Sequence, residues 1–269
     1  GWHEPCTQNH AMPAARASAP VSFLADGFRV AADCLPAEDA AGDFFALSSP
    51  APGRLTVLVS DACGRGREGA AILRGIVPEL RFLVRTGESP SRVLARLNDA
   101  ALDKLPIDRF MTALVVEFDA NQRRLTAANA GHVPALRRSA HHHVELLGTH
   151  AGPPLGVVRG AAYFLEEVEC RSGDVVVMMT DGVLEALERD LLSMHRLRSL
   201  VAHGPPSATD LERVLLAALE RRLHGRRPDD LTLVTVEVNP AVRGRGRHLE
   251  RTRFAADEPL RCCGGAARR

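Results

Sequence analysis

Long apolar runs, a marked net charge and paired cysteine motifs are all absent from this sequence of 269 residues. A membrane-spanning helix needs a run of about eighteen apolar residues, and because no such run is present the sequence argues against an integral membrane protein. The 34 lysines and arginines almost balance the 33 aspartates and glutamates. Since the chain carries no overall field of one sign, nucleic acid and anionic lipid are disfavoured as partners.

The cysteines do not form a recognisable site. None of the six lies in a C-x-x-C pair, and two are adjacent near the C-terminus, which fits neither a zinc site nor a disulfide framework. The N-terminus lacks the basic segment followed by an apolar stretch that marks a secretory signal. Together these observations predict a cytoplasmic protein.

Apolar periodicity is lost at both ends of the chain. Residues 1–22 are rich in alanine, proline, serine and histidine, which predicts a flexible leader. Residues 239–269 contain arginines that alternate with glycines, which predicts a disordered Arg/Gly-rich tail. The folded part is therefore expected to be one domain over residues 23–238.

The pattern within residues 23–238 predicts an α+β fold with many strands. Short apolar runs rich in β-branched residues predict strands at 28–34, 55–60, 113–118, 175–179 and 231–238. Further strands are predicted at 123–131 and 163–170, and a strand–turn–strand unit at 130–148. Because strands follow one another without strict alternation with helices, antiparallel sheets covered by helices are favoured over a doubly wound parallel fold.

Three helices are predicted between the groups of strands. The first covers residues 69–85, and Pro78 is expected to kink or split it. The second begins near Ser89 and Pro90, where proline is tolerated in the first turn. The third covers residues 209–223 and is expected to end at Gly225.

Aspartates at strand ends are the candidate functional residues. Charged carboxylates beside apolar strands carry a desolvation cost unless a cation neutralises them. Carboxylate oxygens flanked by small residues are typical of a site for Mg²⁺ or Mn²⁺. Aspartate beside glycine is also a common turn former or helix cap, and spacing alone leaves both interpretations open. The candidates are Asp43, Asp61, Asp181, Asp229 and Asp230.

Seven short sequence motifs, in a fixed order along the chain, resemble those of a known family. They cover about residues 24–238 and resemble the signature of the metal-dependent serine/threonine protein phosphatases of the type 2C (PPM) superfamily, in its bacterial branch similar to SpoIIE and RsbU. In chain order they read EDAAGDFF, SDACGRGREGAAIL, FMTALVVEFD, ANAGHVPAL, GPPLGV, TDGVLEA and DDLTLVTV.

The resemblance implies a binuclear metal site of two Mn²⁺ or Mg²⁺ ions. Asp43 would bind one ion, and Asp61 would bridge both, with the backbone carbonyl of Ala62 as an additional ligand. Asp181 and Asp229 would bind the other ion. Asp230 would lie behind these ligands or on the substrate side, and His132 would have a structural or supporting role. Ser60 and Cys63 depart from the family pattern, but both replacements are small.

The resemblance also implies the fold, the reaction and the partners. The fold is the αββα sandwich, two antiparallel sheets packed face to face between layers of helices. The reaction is in-line hydrolysis of a phosphoserine or phosphothreonine by a metal-bridging hydroxide, without a covalent phosphoenzyme, in which the four aspartates are catalytic through metal-activated water. The substrate of the branch is a phosphorylated anti-anti-sigma (STAS) protein in a partner-switching pathway.

Sensing would then come from a separate sensor or activator protein, unless the sequence is a fragment. Homodimerisation, known in the branch, stays open.

Two other functions compete with this one. A weakly active or inactive module of the same fold could bind and sequester a signalling regulator, although all four aspartates are present. A nucleic-acid binder would rest on the Arg/Gly tail alone. His141, His142 and His143 are expected in a solvent-exposed turn rather than around an ion, and Arg65 and Arg67 are weaker candidates for contact with a substrate phosphate.

Overall fold

A computed structural model describes residues 21–25, 27–38, 40–187, 191–224 and 227–239. The elements are β1 (Val21–Ala25), β2 (Phe28–Leu35), β3 (Asp43–Ser48), β4 (Arg54–Ala62), α1 (Arg67–Val84), α2 (Pro90–Lys104), β5 (Met111–Asp119), β6 (Arg124–Ala130), β7 (Ala135–Arg138), β8 (Val144–Leu147), β9 (Ala151–Gly152), β10 (Glu166–Glu169), β11 (Val175–Met179), α3 (Asp181–Ala186), α4 (Leu191–His203), α5 (Ala208–Leu223) and β12 (Leu231–Val238).

Two sheets carry the fold. Sheet A has the strand order β1-β2-β12-β11-β7-β8, and all of its pairs are antiparallel. Sheet B has the order β10-β6-β5-β4-β3, again antiparallel, and the two-residue β9 adds a short parallel pairing to β6. The expected sandwich of two antiparallel sheets is therefore confirmed, with β9 as a local parallel exception.

Three apolar layers hold the sheets and helices together. Successive side chains of a strand point to opposite faces of the sheet. In β12, Val234 and Val236 therefore pack between the sheets, while Leu231 and Leu233 pack against helices. The side of sheet A away from sheet B packs against α3, α4 and α5. The corresponding side of sheet B packs against α1 and α2. With both faces covered, the strands read as continuous apolar runs rather than as alternating ones.

Several predicted boundaries need correction. The leader was expected to extend through residue 22, but β1 begins at Val21 and pairs with β2. Residues 1–20 and the tail from 240 lie outside the described residues, as does Gly225. Asn239 donates its backbone N–H to the Gly27 carbonyl at 2.7 Å, so it belongs to the folded part rather than to the predicted tail. The strand predicted at 163–170 is confined to Glu166–Glu169.

Helix α1 is not split at Pro78, contrary to one form of the prediction. It runs without interruption from Arg67 to Val84. Proline removes one hydrogen bond to the carbonyl four residues earlier, here that of Arg74. Both Pro78 and Arg74 lie on the exposed side of α1, where water can replace the missing donor.

The histidines of residues 141–143 lie in the exposed turn between β7 and β8, as predicted. Among the described helices, none combines the length and the apolar character needed to cross a bilayer.

A buried carboxylate pair lies between α5 and sheet A, away from the strand-end aspartates. Glu212 of α5 is 4% exposed and Asp33 of β2 is 1% exposed. Burial and, to a smaller extent, the charge of Asp33 raise the pKa of Glu212 from 4.5 to about 9. The folded chain therefore holds a proton on Glu212 over a pH range in which the unfolded chain has released it.

Replacing Glu212 with glutamine is expected to flatten the pH dependence of stability. Because the folded state binds the extra proton, the free energy of unfolding of the wild type falls as pH rises between the two pKa values, by at most about 1.4 kcal/mol per pH unit from this group. Glu212→Gln should be more stable than the wild type at pH 9 and nearly equal at pH 4.5, by urea unfolding. Glu220→Gln, on the exposed side of α5, is the control; parallel wild-type and Glu212→Gln curves would contradict the expectation.

Candidate metal centre

Asp43 and Asp61 form the first pair of site residues. Asp43 begins β3 and Asp61 lies near the end of β4, and the two are directly opposite each other in the antiparallel register. Residues opposite each other in such a pair project from the same face of the sheet. Asp43 is 6% exposed, whereas Asp61 is partly open to solvent. Sheet B therefore presents two adjacent carboxylates at one edge.

Asp181 and Asp229 form the second pair, at the ends of two central strands of sheet A. Asp181 is the first residue of α3, which follows β11, and Asp229 lies just before β12. Because β11 and β12 are antiparallel neighbours, the end of one strand meets the beginning of the other. The backbone N–H of Thr180 donates to the carbonyl of Thr232 at 3.1 Å, which extends the ladder to this edge.

Glycine at position 182 allows the start of α3 to approach the residues just before β12. A Cβ added to Gly182 would lie 1.9 Å from the backbone oxygen of Asp230. No side chain fits at that distance, so only glycine lets the start of α3 pack directly against the start of β12. The close packing places Asp181 beside the Asp229–Asp230 turn.

The two pairs meet across the sandwich. The Thr180 hydroxyl donates to Oδ2 of Asp43 at 2.7 Å, which joins sheet A to sheet B. The charges of Asp181 and Asp229 also raise the pKa of Asp61, so these carboxylates lie close enough to interact electrostatically. All four aspartates predicted as ligands are thus brought together by the fold, although their pairs are more than a hundred residues apart in sequence.

Burial and repulsion between neighbouring carboxylates raise the pKa values of three of these aspartates. Burial, followed by the charges of Asp181 and Asp229, raises the pKa of Asp61 from 3.8 to about 7. The pKa of Asp43 is raised well above its ordinary value, mainly by burial and then by Asp61. The pKa of Asp181 is raised by burial and then by Asp229. A cation placed among these groups would relieve the cost of their ionisation.

Asp230 supports the loop before β3. It is buried, and its Oδ1 and Oδ2 accept hydrogen bonds from the backbone N–H groups of Ala37 at 2.7 Å and Gly42 at 2.8 Å. Burial raises the pKa of Asp230, and these two hydrogen bonds oppose the rise. The carboxylate thereby ties the approach to Asp43 to the start of β12.

The Ala62 carbonyl lies in the same tight region. A Cβ on Gly42 would approach the Ala62 oxygen to 3.1 Å, and a Cβ on Gly69 would approach it to 3.4 Å. The glycines at the start of α1 and before β3 let both segments pack closely around this carbonyl. Ala62 therefore sits next to Asp61 with its backbone oxygen close to the turn that precedes Asp43.

His132 is buried, and its ring contacts both sheets. It is 6% exposed, and its Nε2 is 3.1 Å from the carbonyl oxygen of Met179 while its Nδ1 is 2.7 Å from the Thr112 hydroxyl. Since a carbonyl can only accept, Nε2 carries the proton and Nδ1 accepts from Thr112. Burial lowers the pKa of His132 to about 4.

Two residues of the site escaped the sequence analysis. Glu185 contributes to the raised pKa values of Asp61 and Asp181, and its i+4 spacing from Asp181 on α3 is a signal that could have revealed it. Thr180 gave no comparable signal, because its partner Asp43 is 137 positions away. Arg65, a weak candidate from the sequence, lies with Nε 3.7 Å from Oδ2 of Asp229 and is largely exposed.

The donor set suits a hard divalent cation. Carboxylates and a backbone carbonyl supply only oxygen, which is what Mg²⁺ and Mn²⁺ prefer. Within the described ranges, no three Asp, Glu, His or Cys side chains already converge in a geometry that could hold an ion. Mg²⁺ usually keeps several waters and uses few direct protein ligands, so an open cluster of mutually repelling carboxylates still fits it.

Comparison with known proteins gives consistent results. Phosphoserine phosphatase RsbU of Bacillus subtilis (strain 168) is 24% identical over 209 residues, which cover 77% of this chain and 62% of RsbU. The crystal structure of the RsbU and RsbW domains of Rv1364c from Mycobacterium tuberculosis superposes with a TM-score of 0.69 at 28% identity, covering 85% of this chain and 64% of that one. RsbX in complex with magnesium has a TM-score of 0.64 at 20% identity, covering 82% of this chain and all of RsbX. The chain thus spans less than two thirds of the RsbU sequence that it matches.

The family model gives the assignment. The model described as Stage II sporulation protein E (SpoIIE) matches residues 51–239. This range contains Asp61, Asp181 and Asp229, together with β4 to β12 and helices α1 to α5. It includes most strands of both sheets and most of the candidate metal centre, so the chain belongs to the SpoIIE family, the SpoIIE/RsbU-like branch of the PPM phosphatases.

Proposed function

We propose that the chain is a metal-dependent phosphatase that hydrolyses phosphoserine or phosphothreonine on a regulatory protein. The observation that carries the proposal is that four aspartates from two sheets lie near one another at one end of the sandwich, where burial and neighbouring carboxylates raise the pKa of Asp43, Asp61 and Asp181. Membership of the SpoIIE family and similarity to a protein named phosphoserine phosphatase support it.

Asp43, Asp61, the Ala62 carbonyl, Asp181 and Asp229 would hold two Mn²⁺ or Mg²⁺ ions. Bound there, the ions would supply an activated water for attack on phosphorus and would neutralise charge on the phosphate oxygens. RsbX, a structural relative, was solved with magnesium, which supports this choice of cation.

The protein groups around the ions have separate tasks. The aspartates would hold the ions, and Asp230 fixes the loop that precedes Asp43. Arg65 contributes a guanidinium at the exposed side of Asp229, where it attracts the phosphate of the incoming substrate and contacts its oxygens. Cys63 takes no part as a nucleophile; its sulfur accepts a hydrogen bond from the Phe110 backbone N–H at 3.3 Å.

The substrate is proposed to be a phosphorylated anti-anti-sigma (STAS) protein in a partner-switching pathway. The names of the relatives support this proposal, because one is an RsbU phosphatase and another combines RsbU and RsbW domains in one protein. A separate sensor or activator would then regulate the phosphatase.

Phosphate release by the purified chain tests the proposal. We expect hydrolysis of a phosphoserine peptide and of a phosphorylated STAS protein with Mn²⁺ or Mg²⁺, loss of activity in EDTA, and recovery when the ion is restored. Asp181→Ala should be inactive, and Asp103→Ala, on the exposed side of α2, is the matched control. STAS binding without turnover, under any ion, would favour the sequestering module instead.

A further inference from the structure

The candidate metal centre is divided between the two sheets. Asp43 and Asp61 belong to sheet B, whereas Asp181 and Asp229 flank strands of sheet A. The sheets are joined mainly by apolar packing, which is not directional. Apolar packing alone does not fix the spacing between two pairs of carboxylates, so directional contacts across the sandwich near the site have particular importance.

Thr180 provides one such contact. Its hydroxyl donates to Oδ2 of Asp43 at 2.7 Å and accepts from the backbone N–H of Thr232 at 3.0 Å. Thr180 is fully buried, so water does not compete for these bonds. One hydroxyl thereby links β12, the residue before Asp181 and the carboxylate of Asp43.

His132 provides the second contact between the sheets. In sheet A it contacts Met179, the residue before Thr180. Its ring joins the Thr112 hydroxyl of β5, in sheet B, to the Met179 carbonyl of β11, in sheet A. Its backbone is itself fixed, because Oδ1 of Asn129 accepts from the His132 N–H at 2.7 Å and Nδ2 of Asn129 donates to the His132 carbonyl at 2.9 Å. The imidazole is therefore a rigid spacer between the sheets.

We propose that Thr180 and His132 are positioning residues that hold the Asp43–Asp61 pair at the correct distance from the Asp181–Asp229 pair, and so set the affinity of the site for divalent cations. The proposal rests on the proposed function, since it concerns the same metal centre. Neither residue needs to contact an ion. Groups that orient metal ligands through hydrogen bonds commonly contribute about 10- to 100-fold to metal affinity.

Calorimetric titration of Mn²⁺ into the full chain, without substrate, tests the role of Thr180. Thr180→Val keeps the shape but removes the hydroxyl, and it is expected to weaken Mn²⁺ binding by about 10-fold or more. Thr180→Ser restores the hydroxyl and should restore affinity to within a few-fold of the wild type. A purely structural role would lower the melting temperature of Thr180→Val without this selective rescue of affinity.

Thr56→Val is the matched control. Thr56 lies on β4 towards the end opposite Asp61, is 1% exposed, and has no hydrogen-bond partner for its hydroxyl within the described residues. The substitution removes the same buried group and should leave Mn²⁺ affinity unchanged. A folded Thr180→Val variant that binds Mn²⁺ as tightly as Thr56→Val would overturn the proposal.

Thr112→Val tests the His132 contact independently. It removes the sheet B partner of the imidazole while His132 and Thr180 remain, and it is expected to weaken Mn²⁺ binding several-fold. This variant also decides the matter if Thr180→Val does not fold, because unchanged affinity in Thr112→Val would then overturn the proposal. Absence of Mn²⁺ binding by the wild type would instead overturn the proposed function itself.

Discussion

Replacement of Asp61 with asparagine is expected to abolish metal-dependent phosphate release and, at the same time, to make the metal-free chain more stable at pH 8. The family resemblance assigns Asp61 as a ligand of both ions, so its loss is expected to remove several kcal/mol of transition-state stabilisation. This corresponds to a rate reduction of about 10³-fold or more. The gain in stability follows because burial and neighbouring carboxylates raise the pKa of Asp61 to about 7, which means that its charge opposes folding at pH 8.

Two measurements separate these effects. Phosphate release from a phosphoserine peptide reports the first, and the melting temperature in EDTA reports the second. At pH 4, where Asp61 is protonated in the folded chain, the stability advantage of Asp61→Asn should be small. The exposed Asp103→Asn serves as control for both. An active Asp61→Asn variant would contradict the assignment of the metal centre, and a variant less stable than the wild type in EDTA at pH 8 would contradict the electrostatic argument.

Replacement of Gly182 with alanine is expected to damage the site through the backbone alone. The added Cβ would lie 1.9 Å from the Asp230 carbonyl oxygen, so α3 must move away from the start of β12. Such overpacking is expected to cost about 3 kcal/mol of stability. Because Asp181 and Asp229 lie on the two segments that separate, the stabilisation of the chain by Mn²⁺ should also be lost.

Gly75→Ala is the control for this experiment. Gly75 lies on the exposed side of α1, and a Cβ there would meet nothing within 4 Å. Alanine should stabilise the helix at this position by about 0.5–1 kcal/mol. Melting temperatures with and without Mn²⁺ measure both variants. Equal Mn²⁺-induced shifts in Gly182→Ala and Gly75→Ala would show that the close contact does not control the metal centre.

The sequence was most informative where local patterns and ordered motifs coincide. The central strands and α2 follow from apolar periodicity and a proline in the first turn, and four aspartates at strand ends indicated the candidate ligands. The resemblance to a phosphatase family then implied that two antiparallel sheets pack face to face between layers of helices. For these features the local preference agrees with the final fold, which is why sequence patterns identify them.

The features that sequence reasoning missed depend on distant parts of the chain. The strand β1 is short and gains its place by pairing with β2, and α3 has only six residues, too few to show a helical period. The expected split at Pro78 did not occur because that position of α1 is exposed. The bond from Thr180 to Asp43 exists only after two separate sheets have packed together.

The position of β12 has a consequence for synthesis of the chain on the ribosome. The strand lies between β2 and β11 in sheet A, yet it is the last of the described strands to be translated. Until it emerges, β1 and β2 cannot be joined to β11, β7 and β8, and Asp229 is not yet available beside Asp181. A nascent chain therefore cannot assemble the candidate metal centre early, and the proposed phosphatase activity would have to wait until β12 has been translated.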